Sequence, residues 1–297
     1  MKTGNKSLMF ALMAVLFWST IGSAFKLTLN YLNFVQVLLF ASFVAVIFLA
    51  LTLTISGKMR NIVNAGPGNI GMSAIMGFLN PFAYYLILLK AYSILQAQEA
   101  VVLNYIWPMI LVLLSIPFLR QKISPISFLA LLISFSGIFV IATEGRILTM
   151  RFSHPAGVAL ALVSAFFWAS YWLLNLKDKR EETEKLFMNF AFGFLYILIY
   201  AISTSNLVLP GIKGVTGVVY IGLFEMGITF VLWLKALKYA ENTARVSNLV
   251  YLSPFLSLIF VSVFVGEKIL ISTIAGLILI IGGILIQHFS GKTAKVI

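Results

Sequence analysis

An all-α integral membrane fold, with ten transmembrane helices forming two inverted five-helix repeats around a central cavity, is what this sequence predicts. Three observations carry the expectation: an apolar composition, ten apolar segments of spanning length, and a residue pattern that occurs twice. Hydrophobic residues make up 61% of the 297 and charged residues 10%, against roughly 45–50% and roughly 25% in soluble domains. Mean hydropathy is +1.04. These values exclude an ordinary soluble domain.

A helix crosses the hydrocarbon core with about 20 residues, and ten segments qualify in order. Span 1 (8–27) follows Lys2 and Lys6 and carries Trp18 near its middle. Its basic start and small-residue end at Gly22-Ser23-Ala24 resemble a secretory signal peptide, but its recurrence in the second half argues that it is retained. Span 2 (33–56) is almost uniformly apolar. Span 3 (69–89) places Asn80 at mid-depth with Tyr84 one turn later. Span 4 (97–118) opens with Glu99 and holds Asn104, Tyr105, Trp107 and Pro108. Span 5 (124–143) offers Ser134, Ser136 and Gly137 for close helix contact.

Span 6 (154–176) carries Trp168, Tyr171 and Trp172. The charged run Lys177–Glu182 reads as a solvated loop joining the halves, followed by span 7 (185–204). Span 8 (214–234) contains Glu225 and Thr229. Span 9 (243–265) begins near Arg245 and includes Asn248, Tyr251 and Pro254. Span 10 (269–289) has Gly276, Gly282 and Gly283 as its small residues.

A net charge of +12 invites a nucleic-acid reading, but the basic residues are distributed by topology. With the N-terminus inside, the inner side holds Lys2, Lys6, Lys58, Arg60, Arg120, Lys122, Lys177, Lys179, Arg180, Lys185, Lys235, Lys238, Arg245, Lys292 and Lys295. The outer side holds Lys26, Lys90, Arg146, Arg151, Lys213 and Lys268. Fifteen of 21 on one side is the bias that orients membrane proteins. Both termini are expected in the cytoplasm, the chain in the cell membrane, and no nucleic acid among its partners. Zero cysteines remove disulfide, thiolate and cysteine-metal chemistry.

The duplication is read from matches in register. Ala11-Leu12 and Phe17-Trp18 recur as Ala161-Leu162 and Phe167-Trp168; Gly77-Phe78-Leu79-Asn80 recurs as Gly222-Leu223-Phe224-Glu225. Lys90-Ala91 recurs as Lys235-Ala236, and Tyr105, Pro108, Lys122 and Gly137 recur as Tyr251, Pro254, Lys268 and Gly283. The halves are therefore 1–145 and 146–297. Five spans is an odd number, so the second half enters from the opposite side and the copies become inverted. Secondary transporters built this way bind substrate near the midplane between the halves.

Several of these residues also form a family pattern: Phe17-Trp18-Ser19-Thr20 with Lys26, Lys90-Ala91, the mid-span Pro108 and Pro254, and Gly266-Glu267-Lys268 after span 9. Over essentially its whole length the chain resembles the EamA family of the drug/metabolite transporter superfamily. The resemblance implies a ten-helix fold with a central cavity and a membrane carrier, often an exporter of amino acids or other metabolites. The first half has Arg120-Gln121-Lys122 where the second has Gly266-Glu267-Lys268, so Glu267 has no counterpart.

Glu225 lies about ten residues from either end of its span, roughly 15 Å deep at 1.5 Å per residue. A charge there costs at least ~2.5–3.5 kcal/mol, and such residues mark substrate or proton pathways. Glu225 is thus the proton-coupling candidate, or the partner of a substrate amine. The expected substrate-binding set is Glu225, Asn80, Tyr84, Trp18, Trp168, Asn104, Trp107, Tyr251, Asn248 and Thr229, with Tyr84 and Thr229 assigned to the faces of Asn80 and Glu225 by i,i+4 spacing. Pro108 and Pro254 are expected hinges, each freeing the carbonyl four residues back. Structural readings stand beside these: a hydrogen-bonded Glu225, aromatic core packing, and simple proline kinks. Glu99 and Arg245, in matching positions, are read as pairing with local counter-charges.

The expected function is a secondary carrier of a small amphipathic metabolite such as an amino acid, working by alternating access, exporting, and coupled to protons. An intramembrane enzyme is the first alternative, but His154 and His288 both lie at span ends and no hydrolase, metalloprotease or phosphate-loop motif is present. No enzyme activity, cofactor or metal is expected. An uncoupled channel or facilitator is the second alternative, and would need a continuous polar lining. The partners are a small-molecule substrate and the bilayer, with the oligomeric state open.

Overall fold

The computed structural model describes residues 3–119, 125–146, 154–175, 177–240, 246 and 248–290, and these residues contain helices and no strand. The helices are α1 (Thr3–Thr28), α2 (Phe34–Ile55), the short α3 (Met59–Val63), α4 (Pro67–Gly77), α5 (Tyr84–Ile94), α6 (Ala97–Asn104), α7 (Trp107–Leu119) and α8 (Pro125–Ala142). In the second half they are α9 (Pro155–Asn175), α10 (Glu182–Ser203), α11 (Ile212–Phe224), α12 (Ile228–Lys238), α13 (Ser253–Phe260) and α14 (Ile271–Ser290).

Among the described residues, seven helical stretches are long and apolar enough to cross a membrane: Lys6–Thr28, Phe34–Ile55, Pro67–Ile94, Ala97–Phe118, Pro155–Asn175, Glu182–Ser203 and Ile212–Lys238. Three shorter apolar helices, Phe128–Ala142, Leu249–Val265 and Ile271–Ile286, stand where spans 5, 9 and 10 are expected. Large apolar side chains such as Ile47, Leu51, Leu195, Ile199, Leu132 and Ile278 face outward, which suits acyl chains and not water. In hydrocarbon a backbone must satisfy its own hydrogen bonds, which is why these segments are helical. The chain is a multi-pass membrane protein.

Polar side chains close the helix ends. The Asn33 side chain accepts from the amides of Val35 and Gln36 at 3.0 Å, and Gln36 accepts back from the Asn33 amide. Glu181 caps α10 by accepting from Thr183 and Glu184, and pairs with Lys58 at 3.0 Å. The expected solvated loop is therefore anchored: Arg180 binds the Asp178 carboxylate at 2.6 Å and donates to Ser73 of α4. Lys185, just beyond it, is buried. Charges here hold the joint between halves in place.

The principal packings join the first half to the second, and they come in reciprocal sets. α1 packs on α12 and α13, while α9 packs on α5 and on α6 and α7. α2 packs on α11, while α10 packs on α4. α2 meets α10, and α8 meets α14. Of the small residues expected at the α8–α14 contact, Ser134, Gly137, Gly276 and Gly283 make it, whereas Ser136 is exposed and a Cβ on Gly282 would meet nothing within 4 Å. A Cβ added to Gly137 would lie 2.6 Å from the Gly276 carbonyl, and one on Gly283 would lie 2.5 Å from the Ala130 carbonyl.

Among the described residues, four spans are interrupted. Between α4 and α5 the chain makes a wide π-type turn in which Asn80 is extended (φ −150°, ψ 120°). Pro81 explains this, because proline disfavours helical geometry in the residue before it. Between α11 and α12 the helix stops at Glu225-Met226-Gly227, and a Cβ on Gly227 would sit 2.8 Å from the Phe48 ring. Both stretches were expected to be continuous helix. The expected mid-helix kinks at Pro108 and Pro254 are also corrected. Each proline is the second residue of a new helix, α7 or α13, after a turn at Tyr105-Ile106 or a 3-10 segment at Asn248–Leu252. In a first turn the missing N–H has no carbonyl to lose.

Candidate functional site

The four interruptions surround one cavity of about 310 Å³. Its wall includes Trp18, Tyr84, Asn104, Trp107, Trp168, Glu225 and Tyr251 from the expected set, together with Phe25, Tyr92, Tyr105, Trp172, Trp233, Ser253 and Ser257. The breaks place these side chains: Tyr84 begins α5, Asn104 ends α6, and Glu225 follows the last residue of α11.

Glu225 is 8% exposed. Its Oε1 accepts a hydrogen bond of 2.9 Å from the Tyr85 hydroxyl, and its Oε2 has no partner. Trp172 Nε1 and Ser257 Oγ, also in residues of the wall, are likewise without partners. Buried polar groups are normally satisfied; three of the unpaired ones belong to residues lining this cavity, while others, in Ser23, Asn80, Tyr171 and Asn189, belong to residues outside its wall. Asn104 is fixed on both sides, accepting from Tyr84 at 3.2 Å and donating to Ser164 of α9 at 3.0 Å.

The aromatic wall is continuous. Trp168 stacks on Tyr84 with centroids 4.6 Å apart and meets Trp172 and Trp107 edge-on at 5.7 and 6.5 Å. Trp18 meets Trp233 at 5.4 Å. Phe230 lies 6.0 Å from both Trp18 and Trp168 and so links the two tryptophans that the repeat pairs. Thr20 and Tyr220 share a hydrogen bond of 2.7 Å from α1 to α11, and Ser19 donates to Ser253 at 3.2 Å. These bonds fix α1 against the second half.

Beside Tyr92 and Val101 of the cavity wall lies a cluster of charge and amide contacts. Lys26 donates to the carbonyls of Tyr92 and Leu95 at the end of α5. Glu267 accepts from the amides of Ala97 and Gln98 at 2.8 and 3.1 Å, capping α6 from the other half. Gln98 joins the cluster by donating to the Lys268 carbonyl and accepting from Leu270 and Thr273. Glu99 turns back to the Gln96 amide in the same helix start, and Arg245, its expected counterpart, lies outside the described residues. The other end of the wall reaches Trp172 and Leu237, near the ends of α9 and α12.

Two expected site residues are elsewhere. Asn80 is fully buried but is not in the cavity wall; its side chain faces Tyr171 and Asn189, between α9 and α10. Thr229 is also fully buried, and its hydroxyl donates to the Phe224 carbonyl. The i,i+4 rule that grouped each with its neighbour presupposes an unbroken helix, and both helices break at that point. The Asn248 side chain lies outside the described structure. Tyr85 was missed: it follows Tyr84 on α5 and is the residue that holds Glu225. Pro81 and Gly227 were the available signals of the breaks.

A Clostridium kluyveri protein named as an uncharacterized transporter is 24% identical, over 98% of this chain and 96% of its own. An Acidianus ambivalens protein, named as an uncharacterized transporter in the sor 3′ region, is 29% identical over 69% of this chain and 79% of its own. A solved crystal structure covers 99% of this chain and 100% of its own at 18% identity with a TM-score of 0.66, which shows a shared fold. Residues 5–143 and 155–287 each match the EamA-like transporter family, and the chain belongs to that family.

Proposed function

We propose that this transporter is a secondary carrier that exports a small amphipathic metabolite by alternating access between two inverted five-helix halves, 1–145 and 146–297. It sits in the cell membrane with both termini cytoplasmic, and Glu225 binds the substrate or the proton exchanged for it. The reciprocal packings support the inverted arrangement. Exchanging the two halves turns α1 on α12 into α9 on α5, and α2 on α11 into α10 on α4. With five spans per half, a two-fold operation that does this has its axis in the membrane plane.

The observation that carries the reading is the Glu225 carboxylate, with one oxygen unpaired, in a residue lining an aromatic cavity at a broken helix between the halves. Half-helices meeting at mid-depth are where carriers bind substrates and coupling ions. The Lys26, Glu267 and Gln98 contacts support a state closed at one end, and reversing them would open that end. Tyr84, Trp18, Trp168, Asn104, Trp107 and Tyr251 form the substrate wall, and the helix starts at Pro108 and Pro254 act as hinges.

The test is efflux from proteoliposomes loaded with a defined mixture of amino acids and biogenic amines, under an imposed pH gradient, with release followed by mass spectrometry. Saturable, gradient-dependent release of one component, lost in Glu225→Gln, is expected. Release that rises linearly with concentration and ignores the gradient would make the protein a channel.

A further inference from the structure

We infer that the cavity selects a monovalent organic ammonium ion carried on an apolar body, with Glu225 as counter-charge and indole and phenol faces as walls. The inference rests on reading the cavity as the substrate site, and names the substrate's charge.

The chain contains 5 tryptophans, and all of them, Trp18, Trp107, Trp168, Trp172 and Trp233, line this cavity. Tryptophan in membrane proteins ordinarily collects at the two interfaces, where its N–H reaches water. Here the five come from α1, α7, α9 and α12 and converge. Tyr84, Tyr92, Tyr105 and Tyr251 join them. An aromatic ring is negative on its face, and tryptophan attracts a cation over that face more strongly than the other rings do.

Charge in the wall points the same way. Glu225 is an acid of the wall with a free carboxylate oxygen, and no lysine, arginine or histidine is among the described residues that line the cavity. Lys26 commits its ammonium group to the Tyr92 and Leu95 carbonyls. A zwitterion or an anion would have to bury a carboxylate near Glu225. The unpaired donors available to it, the Trp172 indole N–H and the Ser257 hydroxyl, are neutral. A buried carboxylate without a cationic partner is costly. An ammonium ion meets a carboxylate and aromatic faces, while its apolar body fills the rest.

The experiment uses four ligands that share one phenyl body: phenethylammonium, 2-phenylethanol, phenylalanine and phenylacetate. Because every tryptophan lines the cavity, intrinsic tryptophan emission of the purified protein at neutral pH reports occupancy directly. Phenethylammonium is expected to bind about tenfold more tightly than the alcohol, which corresponds to about 1.4 kcal/mol, and more tightly still than the zwitterion or anion. Glu225→Gln should bring amine and alcohol to within about twofold of each other. Benzyltrimethylammonium, which keeps the charge but has no N–H to donate, should keep most of the preference over the alcohol, and loss of that preference would overturn recognition by charge and ring faces. Equal or tighter binding of phenylalanine, phenylacetate or the alcohol to the intact protein overturns the charge selection, whatever the variant does. That outcome leaves a ligand in the cavity and the carrier reading intact. Amine-selective binding without flux in proteoliposomes would instead overturn the carrier reading and keep the selection.

Discussion

Gly282 and Gly283 are neighbours on α14 and should respond oppositely to a single methyl group. A Cβ on Gly282 meets nothing within 4 Å, whereas one on Gly283 meets the Ser134 hydroxyl and lies 2.5 Å from the Ala130 carbonyl on α8. Ordinary contact begins near 3.4 Å, so Gly283→Ala requires the two helices to part by about 0.9 Å. A radial gap of roughly 0.5–1 Å forfeits a quarter to a half of each dispersion contact it opens, and overpacking of this kind costs about 1–3 kcal/mol. Gly282→Ala pays no such penalty and gains about 0.5–1 kcal/mol of helix propensity. Gly283→Ala has the same propensity gain set against its clash. The difference between the two variants is therefore about 1–3 kcal/mol, with Gly282→Ala above and Gly283→Ala below the parent. Equilibrium unfolding by sodium dodecyl sulfate, in mixed micelles, resolves a gap of this size. Equal stability of the two variants would show that α8 and α14 do not approach closely enough for their glycines to matter.

Removing the Tyr85 hydroxyl by Tyr85→Phe leaves Glu225 without its 2.9 Å bond; stability should fall by about 1–3 kcal/mol and ligand affinity by about tenfold, and unchanged titrations of both would refute the orienting role. Glu267→Ala uncaps the first turn of α6, so the amides of Ala97 and Gln98 should exchange hydrogen at least about tenfold faster, with about 1–3 kcal/mol lost from charge-assisted bonds. At the joint between halves, burial raises the Asp178 carboxyl but the bonds from Arg180 outweigh it and hold the group below its ordinary range. A depressed folded-state value stabilises fully above the unfolded value of about 4 and less as pH falls through the lower folded one. Asp178→Asn should accordingly abolish that part of the acid sensitivity in thermal unfolding curves, and an identical acid limb would count against the Arg180 pairing.

Where helices form, and which groups must hide within them, can be read along the chain without any coordinates. Hydrocarbon leaves a backbone no alternative to helix, so the positions of the apolar runs were legible from composition alone. The depth of Glu225 and the small-residue contact of Gly137, Gly276 and Gly283 followed from spacing along single helices. Trp18 and Trp168 could be paired because the repeat aligns them. Which of two equivalent mid-span residues faces the cavity depends on how the helices pack. Asn80 and Glu225 occupy matching positions, yet Asn80 turns to Tyr171 and Asn189 while Glu225 turns to the aromatic wall. The direction of a side chain at a break depends on the few dihedral angles of that break, which Pro81 and Gly227 set together with the helices packed against them. Helical periodicity carries no information across such a point. The link from Tyr85 to Glu225 and the convergence of every tryptophan depend on contacts between halves, and no local pattern encodes them.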